Sequence, residues 1–340
     1  MTSTATTPSP APAPATPAGN RTPGRIALLV LSRYGTLIGL ALMLIVFTVR
    51  APTVFPTLQN FTNILAQGSL TAIIAAGLTY ALVVGEFDLS IGYAASFAGL
   101  LVVGFMAIQG MPIWVAIPLM LIIGAGIGAA NGLLVTKVRI NAVIATLGMG
   151  TILTGLAFAY SPFPIVTNIP TEFSLISLGR LIPGVPNSIP IMVIVLALLW
   201  VILNKTDLGQ KMQAVGGNRE AARLSGIRVD RVKVFAFVVA GVCAALTGIM
   251  LSSLLGSGTL SAGNGYLLNA FAAVFLGSAT LRDGEFHILG TLVGVLVIAV
   301  GFNGLSIFGA PSWAQQVFSG GILILAVGLS TLSRRFLKAS

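Results

Sequence analysis

The sequence predicts an all-α, polytopic integral membrane protein, a bundle of about ten transmembrane helices with both termini on the cytoplasmic side. Three observations carry that prediction. Apolar residues make up 56% of the 340 and charged residues only 8%, with a mean hydropathy of +1.00. A soluble domain carries about 25% charged residues, so lipid must be the solvent over much of this surface. Apolar runs near 34–49, 66–84, 91–108, 113–135, 142–160, 188–204, 234–255, 266–281, 287–308 and 314–332 suit a hydrocarbon core of about 30 Å. With the N-terminus inside, sixteen of the eighteen basic residues fall on the inner side, leaving only Arg50 and Arg180 outside. An odd number of spans would scramble that asymmetry.

Along the chain, residues 1–24 are rich in Pro, Ala and Thr and lack an apolar stretch. They read as a disordered cytoplasmic tail without the layout of a signal peptide. Residues 25–340 then form the membrane domain. Its first interruption is Gly85-Glu86-Phe87-Asp88-Leu89-Ser90-Ile91-Gly92, where two acids lie with no basic residue nearby in sequence. An ionisable group in hydrocarbon costs about 2.5–3.5 kcal/mol on insertion scales. The segment is therefore either a short cytoplasmic turn or a broken helix within the protein-lined interior, and the span count shifts by about one on that choice.

Gly124, Gly128 and Gly132 recur every four residues, and Gly290 and Gly294 repeat the spacing. Small residues on one face permit close helix approach in lipid, and packing within the chain is favoured over a dimer seam. Cys243 alone excludes an intrachain disulfide and reads as a small packing residue. The single histidine, His287, beside Asp283 and Glu285, reads as a first-turn polar residue, because a metal site needs several convergent ligands.

Residues 205–233 form the longest polar stretch on the inner side. Gly216-Gly217 is expected to break the chain, and Asn218 can then cap a short helix with its side-chain carbonyl. Glu220 suits the positive end of that helix, and Gly226 can end it in a left-handed conformation. Two turns are marginal alone in water. The stretch is either a docking helix or a solvated loop whose charges only set orientation.

The string Ala214-Val215-Gly216-Gly217-Asn218 with Glu220-Ala221-Ala222-Arg223-Leu224-Ser225-Gly226-Ile227 closely resembles the cytoplasmic loop of ribose-type sugar ABC importer permeases. Gly85 to Gly92 looks like that family's GGIDLSVG segment, with Glu86-Phe87 in place of its Gly-Ile. Asn141 to Gly148 resembles its F-I-A-T-L-G segment, and the likeness covers about residues 60 to 333. The resemblance implies a permease domain over 25–340 in which Gly217, Asn218, Glu220, Ala221, Ala222, Arg223, Leu224, Ser225 and Gly226 couple to an ATPase. Ala221, Ala222 and Leu224 would fill its groove. It also implies a cytoplasmic ABC ATPase subunit, an extracytoplasmic solute-binding protein and a second permease subunit as partners, in a bacterial inner membrane.

The chemistry of the chain itself agrees with a separate motor. No G-x-x-x-x-G-K-[ST] phosphate loop occurs, nor H-E-x-x-H or G-x-S-x-G, so no catalytic residue, cofactor or metal is expected. The basic residues lie in short breaks between spans rather than on a soluble face, which excludes nucleic acid as a partner. Asp88, Asn141, Thr146, Asn269, Phe275 and Asn303 are candidates to line the solute's path, with Tyr80 as a further ring for stacking. Interhelical hydrogen bonding competes for each polar one. The leading function is import of a pentose-like sugar or small polyol. An ion-coupled secondary transporter is the alternative, with Glu86 and Asp88 as its only acids near the spans, and a membrane scaffold the third class.

Overall fold

A computed structural model describes residues 23–278 and 284–338, with side chains over 34–278 and 284–328. Residues 1–22, most of the expected tail, lie outside this range, as do Arg282 and Asp283, while its last two residues, Pro23 and Gly24, open the first helix. Among the described residues the chain is helical, with two isolated β-bridges. The helices are α1 (Pro23–Arg50), α2 (Leu58–Val83), α3 (Ile91–Ala107), α4 (Ile113–Leu133) with a π turn over Leu134–Val138, and α5 (Ala142–Tyr160). There follow α6 (Thr171–Leu178), α7 (Ser188–Lys205), α8 (Asp207–Gly217), α9 (Arg219–Leu224), α10 (Val229–Leu255), α11 (Asn264–Ser278), α12 (Ile288–Ile307) and α13 (Ser312–Lys338).

Among the described residues six of these are long and apolar enough to cross a membrane: α2, α4 with its π turn, α5, α7, α10 and α12. Residues 34–50 of α1, α3 and 312–328 of α13 are shorter apolar helices. Sequence and structure agree on where these elements lie, and the helices extend past some apolar runs. Thr57 caps α2 by accepting a hydrogen bond from Asn60 N at 3.2 Å, so that helix starts eight residues before its apolar run.

The centre of the bundle is α2 and α10, which are buried on most of their circumference. The polarity is that of a lipid-facing protein. Ile122, Ile144, Leu147, Ile152, Leu156, Ile194 and Leu198 project outward from α4, α5 and α7. So large an exposed apolar surface needs lipid or another protein against it.

The glycine stripe of α4 packs inside the chain, as its spacing favoured. A Cβ on Gly128 would strike the Phe237 carbonyl oxygen, and one on Gly132 would lie 2.7 Å from Val234 Cα. The α4 and α10 backbones are therefore in contact along that face. Gly290 and Gly294 make the same approach from α12 to α11, against Gly277 and Ala273. Cys243 is buried on α10 beside Gly77.

Candidate functional site

The polar loop between α7 and α10 folds into two helices rather than one. Thr206 caps α8, its side chain accepting from Gly209 N, and α8 runs through Gly216-Gly217 where a break was expected. The reason lies in packing. Gly216 rests on the end of α2, where any Cβ would collide with the Val83 carbonyl oxygen, so the glycine serves close approach rather than chain breaking.

Asn218 then turns the chain and caps α9, its Oδ1 accepting from Ala221 N at 3.0 Å. Gly226, with φ of 82°, stops the helix in the left-handed region. The exposed face of α9 carries Glu220, Ala221, Arg223 and Leu224, and Leu224 is 88% exposed. Ala222, expected to fill a partner's groove, is instead 5% exposed and belongs to the chain's own core. Helical periodicity turns it inward while its neighbours face out.

Beside α9 lies a cleft of about 580 Å³, lined by Glu86, Thr136, Arg139, Asn141, Arg219, Glu220, Arg223, Asp230 and Lys233 among others. Its charges are largely matched in pairs. Lys137 meets Asp230 at 3.4 Å, and Arg223 meets Glu220 at 3.8 Å, both well exposed. Pairs of that kind contribute about 0–1 kcal/mol. Glu86 is different: its Oε1 accepts from Arg219 Nη2 at 2.9 Å and from Lys233 Nζ at 2.6 Å. The Lys233 side chain is 6% exposed, so that contact compensates a buried cation.

The connector from 84 to 90 leaves the helix in a turn followed by irregular chain, buried at Val84, Asp88 and Ser90 and exposed at Gly85 and Phe87. Helix α2 ends at Val83, Gly85 takes φ of 78°, and α3 begins at Ile91. Irregular backbone buried in protein must find its hydrogen bonds there. Leu89 N donates to Thr146 Oγ1 of α5 at 3.0 Å. Asp88 Oδ1 accepts from Ser90 N at 2.9 Å and Ser90 Oγ at 2.6 Å, and Asn131 Nδ2 of α4 donates to Ser90 Oγ at 2.8 Å.

Burial pushes the Asp88 carboxyl above the ordinary carboxylate range, while the Ser90 hydrogen bonds pull it back down. Asn131 Oδ1 is buried and lacks a partner among the described residues. Such an unmet acceptor costs about 1–3 kcal/mol.

The candidate pathway residues do not gather at one place. Asp88 and Thr146 meet through the connector. Phe275 joins it through Phe87, which stacks on Phe271 and Phe275 with centroids 6.2 and 6.4 Å apart, and Phe286 packs edge-on against Phe275 at 5.5 Å. Asn141 caps α5, accepting from Val143 N at 2.9 Å, and lines the cleft.

The other candidates are engaged between helices. Asn303 exchanges amide hydrogen bonds with Asn60 at 2.8 and 3.0 Å, near the far end of α2, roughly 35 Å from the connector by helical rise. Asn269 Oδ1 accepts from Ser319 Oγ at 2.6 Å, and Tyr80 donates to Leu199 O at 2.6 Å. His287 caps α12, its Nδ1 accepting from Gly290 N.

Lys233, Ser90, Asn131 and Phe87 were not singled out from sequence as site residues. A signal existed for Lys233 alone: an acid such as Glu86 beside apolar runs requires a cation from elsewhere in the chain.

Comparison with known proteins adds the family. Residues 60–327 match the model for the permease component of branched-chain amino acid transport systems. The chain belongs to that permease family. It is 38% identical to the ribose import permease of Bacillus subtilis over 88% of this chain and 92% of that protein. It is 37% identical to the ribose import permease of Escherichia coli K12, over 86% and 91% of the two chains. It is 31% identical to the D-allose transport system permease of the same strain, over 88% and 92%. No solved structure matches it. The protein is thus a multi-pass membrane permease component, and not itself an enzyme.

Proposed function

We propose that this chain is the membrane-spanning subunit of an ATP-binding cassette importer that carries a sugar, pentose-like or a related small polyol, across the bacterial inner membrane. The relatives import ribose and D-allose, which favours a sugar over the amino acids for which the family is named, since they match over about nine-tenths of their length. The observation that carries the mechanism is α9. It is a capped two-turn helix seated on the chain's own core by Ala222 and presenting Glu220, Arg223 and Leu224 outward. Isolated helices of that length are marginal, so its packing and caps hold it ready for a partner.

In this reading α1, α3, α11 and α13 join the six longer helices to give ten spans, and the charge asymmetry puts both termini in the cytoplasm. The ATPase subunit receives residues 217–226, a solute-binding protein delivers sugar to the outer mouth, and a second permease subunit completes the path. Asp88, Thr146 and Phe275 lie around the connector and are the pathway residues we retain, while Asn269 and Asn303 have interhelical partners.

The test is uptake of radiolabelled ribose, xylose and leucine by cells lacking their own importers and expressing the chain with its ATPase and binding protein. Sugar uptake that survives a proton uncoupler but not loss of the ATPase supports the proposal. Leucine uptake alone, or uptake independent of the ATPase, overturns it.

A further inference from the structure

The five residues from Glu86 to Ser90 touch five different helices, and nearly every link is made by a different residue. Glu86 reaches α9 through Arg219 and α10 through Lys233. Phe87 stacks on two rings of α11. Leu89 N is held by Thr146 of α5, and Ser90 by Asn131 of α4. The backbone between them is non-helical, so it can transmit a displacement by changing torsions rather than by bending a helix.

Immediately before it, Gly216 of α8 bears on the Val83 carbonyl at the end of α2. The loop that faces the partner is therefore fixed to this connector at two points, one of shape and one of charge. Glu86 and Phe87 are also the two non-conservative departures of this chain from the GGIDLSVG pattern it resembles, Ile91 in place of Val being the third and conservative one.

We propose that Glu86 is a positioning residue for transport: it ties α9 to the connector between α2 and α3, so that movement of α9 shifts α4, α5 and α11 together. This rests on the reading of the chain as an importer permease with α9 facing the ATPase. Glu86 acts through its partners, Arg219 and Lys233. Arg219, half exposed at 49%, is the half of the link that is free to break. Lys233 is the buried anchor that keeps Glu86 in place when α9 is released.

The experiment uses the reconstituted complex of permease, ATPase and binding protein in proteoliposomes, with radiolabelled ribose and ATP. The readout is ribose imported per ATP hydrolysed, taken on complex purified with permease and ATPase in equal amounts so that loss of folded permease does not enter the ratio. Arg219→Gln should lower that ratio at least threefold while the ATPase still co-purifies. In an E86Q background the same substitution should have no further effect, because the link is already gone. If E86Q alone fails to fold, with Lys233 left unpaired, Glu86→Gln combined with Lys233→Met removes the buried cation and supplies the background.

An unchanged ratio in Arg219→Gln overturns the proposal, as does an undiminished effect of that substitution where Glu86 is absent, which would place Arg219 directly on the ATPase. A wild-type complex that imports neither ribose nor xylose would instead refute the importer reading, a separate and recognisable result.

Discussion

Asn303→Ala separates a structural amide from a pathway residue. The side chain makes two hydrogen bonds to Asn60, one in each direction, and both residues are buried. Interhelical side-chain bonds in membranes contribute on average about 0.6 and at most about 1.7 kcal/mol each. Two of them give about 1–3 kcal/mol. Asn60 Nδ2 keeps its bond to the Phe55 carbonyl, so the unmet group is Asn60 Oδ1, whose penalty is the same event and is not added.

The assay is detergent-titrated unfolding of the purified chain, run beside ribose uptake normalised to folded protein. Asn303→Ala should lose about 1–3 kcal/mol, and the Asn60→Ala, Asn303→Ala double variant should lose less than the sum of its singles. Normalised uptake should stay at the wild-type level. A fall in normalised uptake with unchanged stability would refute the reasoning and return Asn303 to the pathway.

Two further predictions concern packing and capping. Gly128→Val places a branched side chain where even a Cβ strikes the Phe237 carbonyl, and it should cost at least about 1–3 kcal/mol in the same unfolding assay. A neutral result there would mean that α4 and α10 do not meet along the stripe. Asn218→Ala removes the cap of α9 and should cost that helix about 1 kcal/mol. Amide hydrogen exchange over residues 219–225 should then rise several-fold, with exchange in α10 unchanged.

Much of the helical layout was legible because lipid imposes long apolar runs, and the glycine spacing of α4 named its packing face correctly. The cap of α9 was legible too, since Asn218 acts over three residues, whereas Asn141 was read as a pathway candidate and proves to cap α5. What was hidden is what depends on distant partners. The Glu86 contacts span 133 and 147 residues, and the Asn60–Asn303 pair spans 243, so no local pattern reports them.

Helix α8 was hidden for a different reason. Its Gly216-Gly217 reads as a break, and only the approach of Val83 explains a glycine within a helix there. Ala222 looked like a contact for a partner because its own burial is set by α9's rotation on the core.

The most direct test of the account is Leu224→Glu, a change at a side chain 88% exposed on α9 and outside the chain's own core. The measurement is ribose uptake together with binding-protein-stimulated ATP hydrolysis by the complex, with the yield of folded permease as control. The account predicts normal folding and loss of both activities, because an acid stands where an apolar side chain should enter the ATPase. Full uptake and stimulation in that variant would contradict it, and α9 would then be a solvated helix rather than the coupling element.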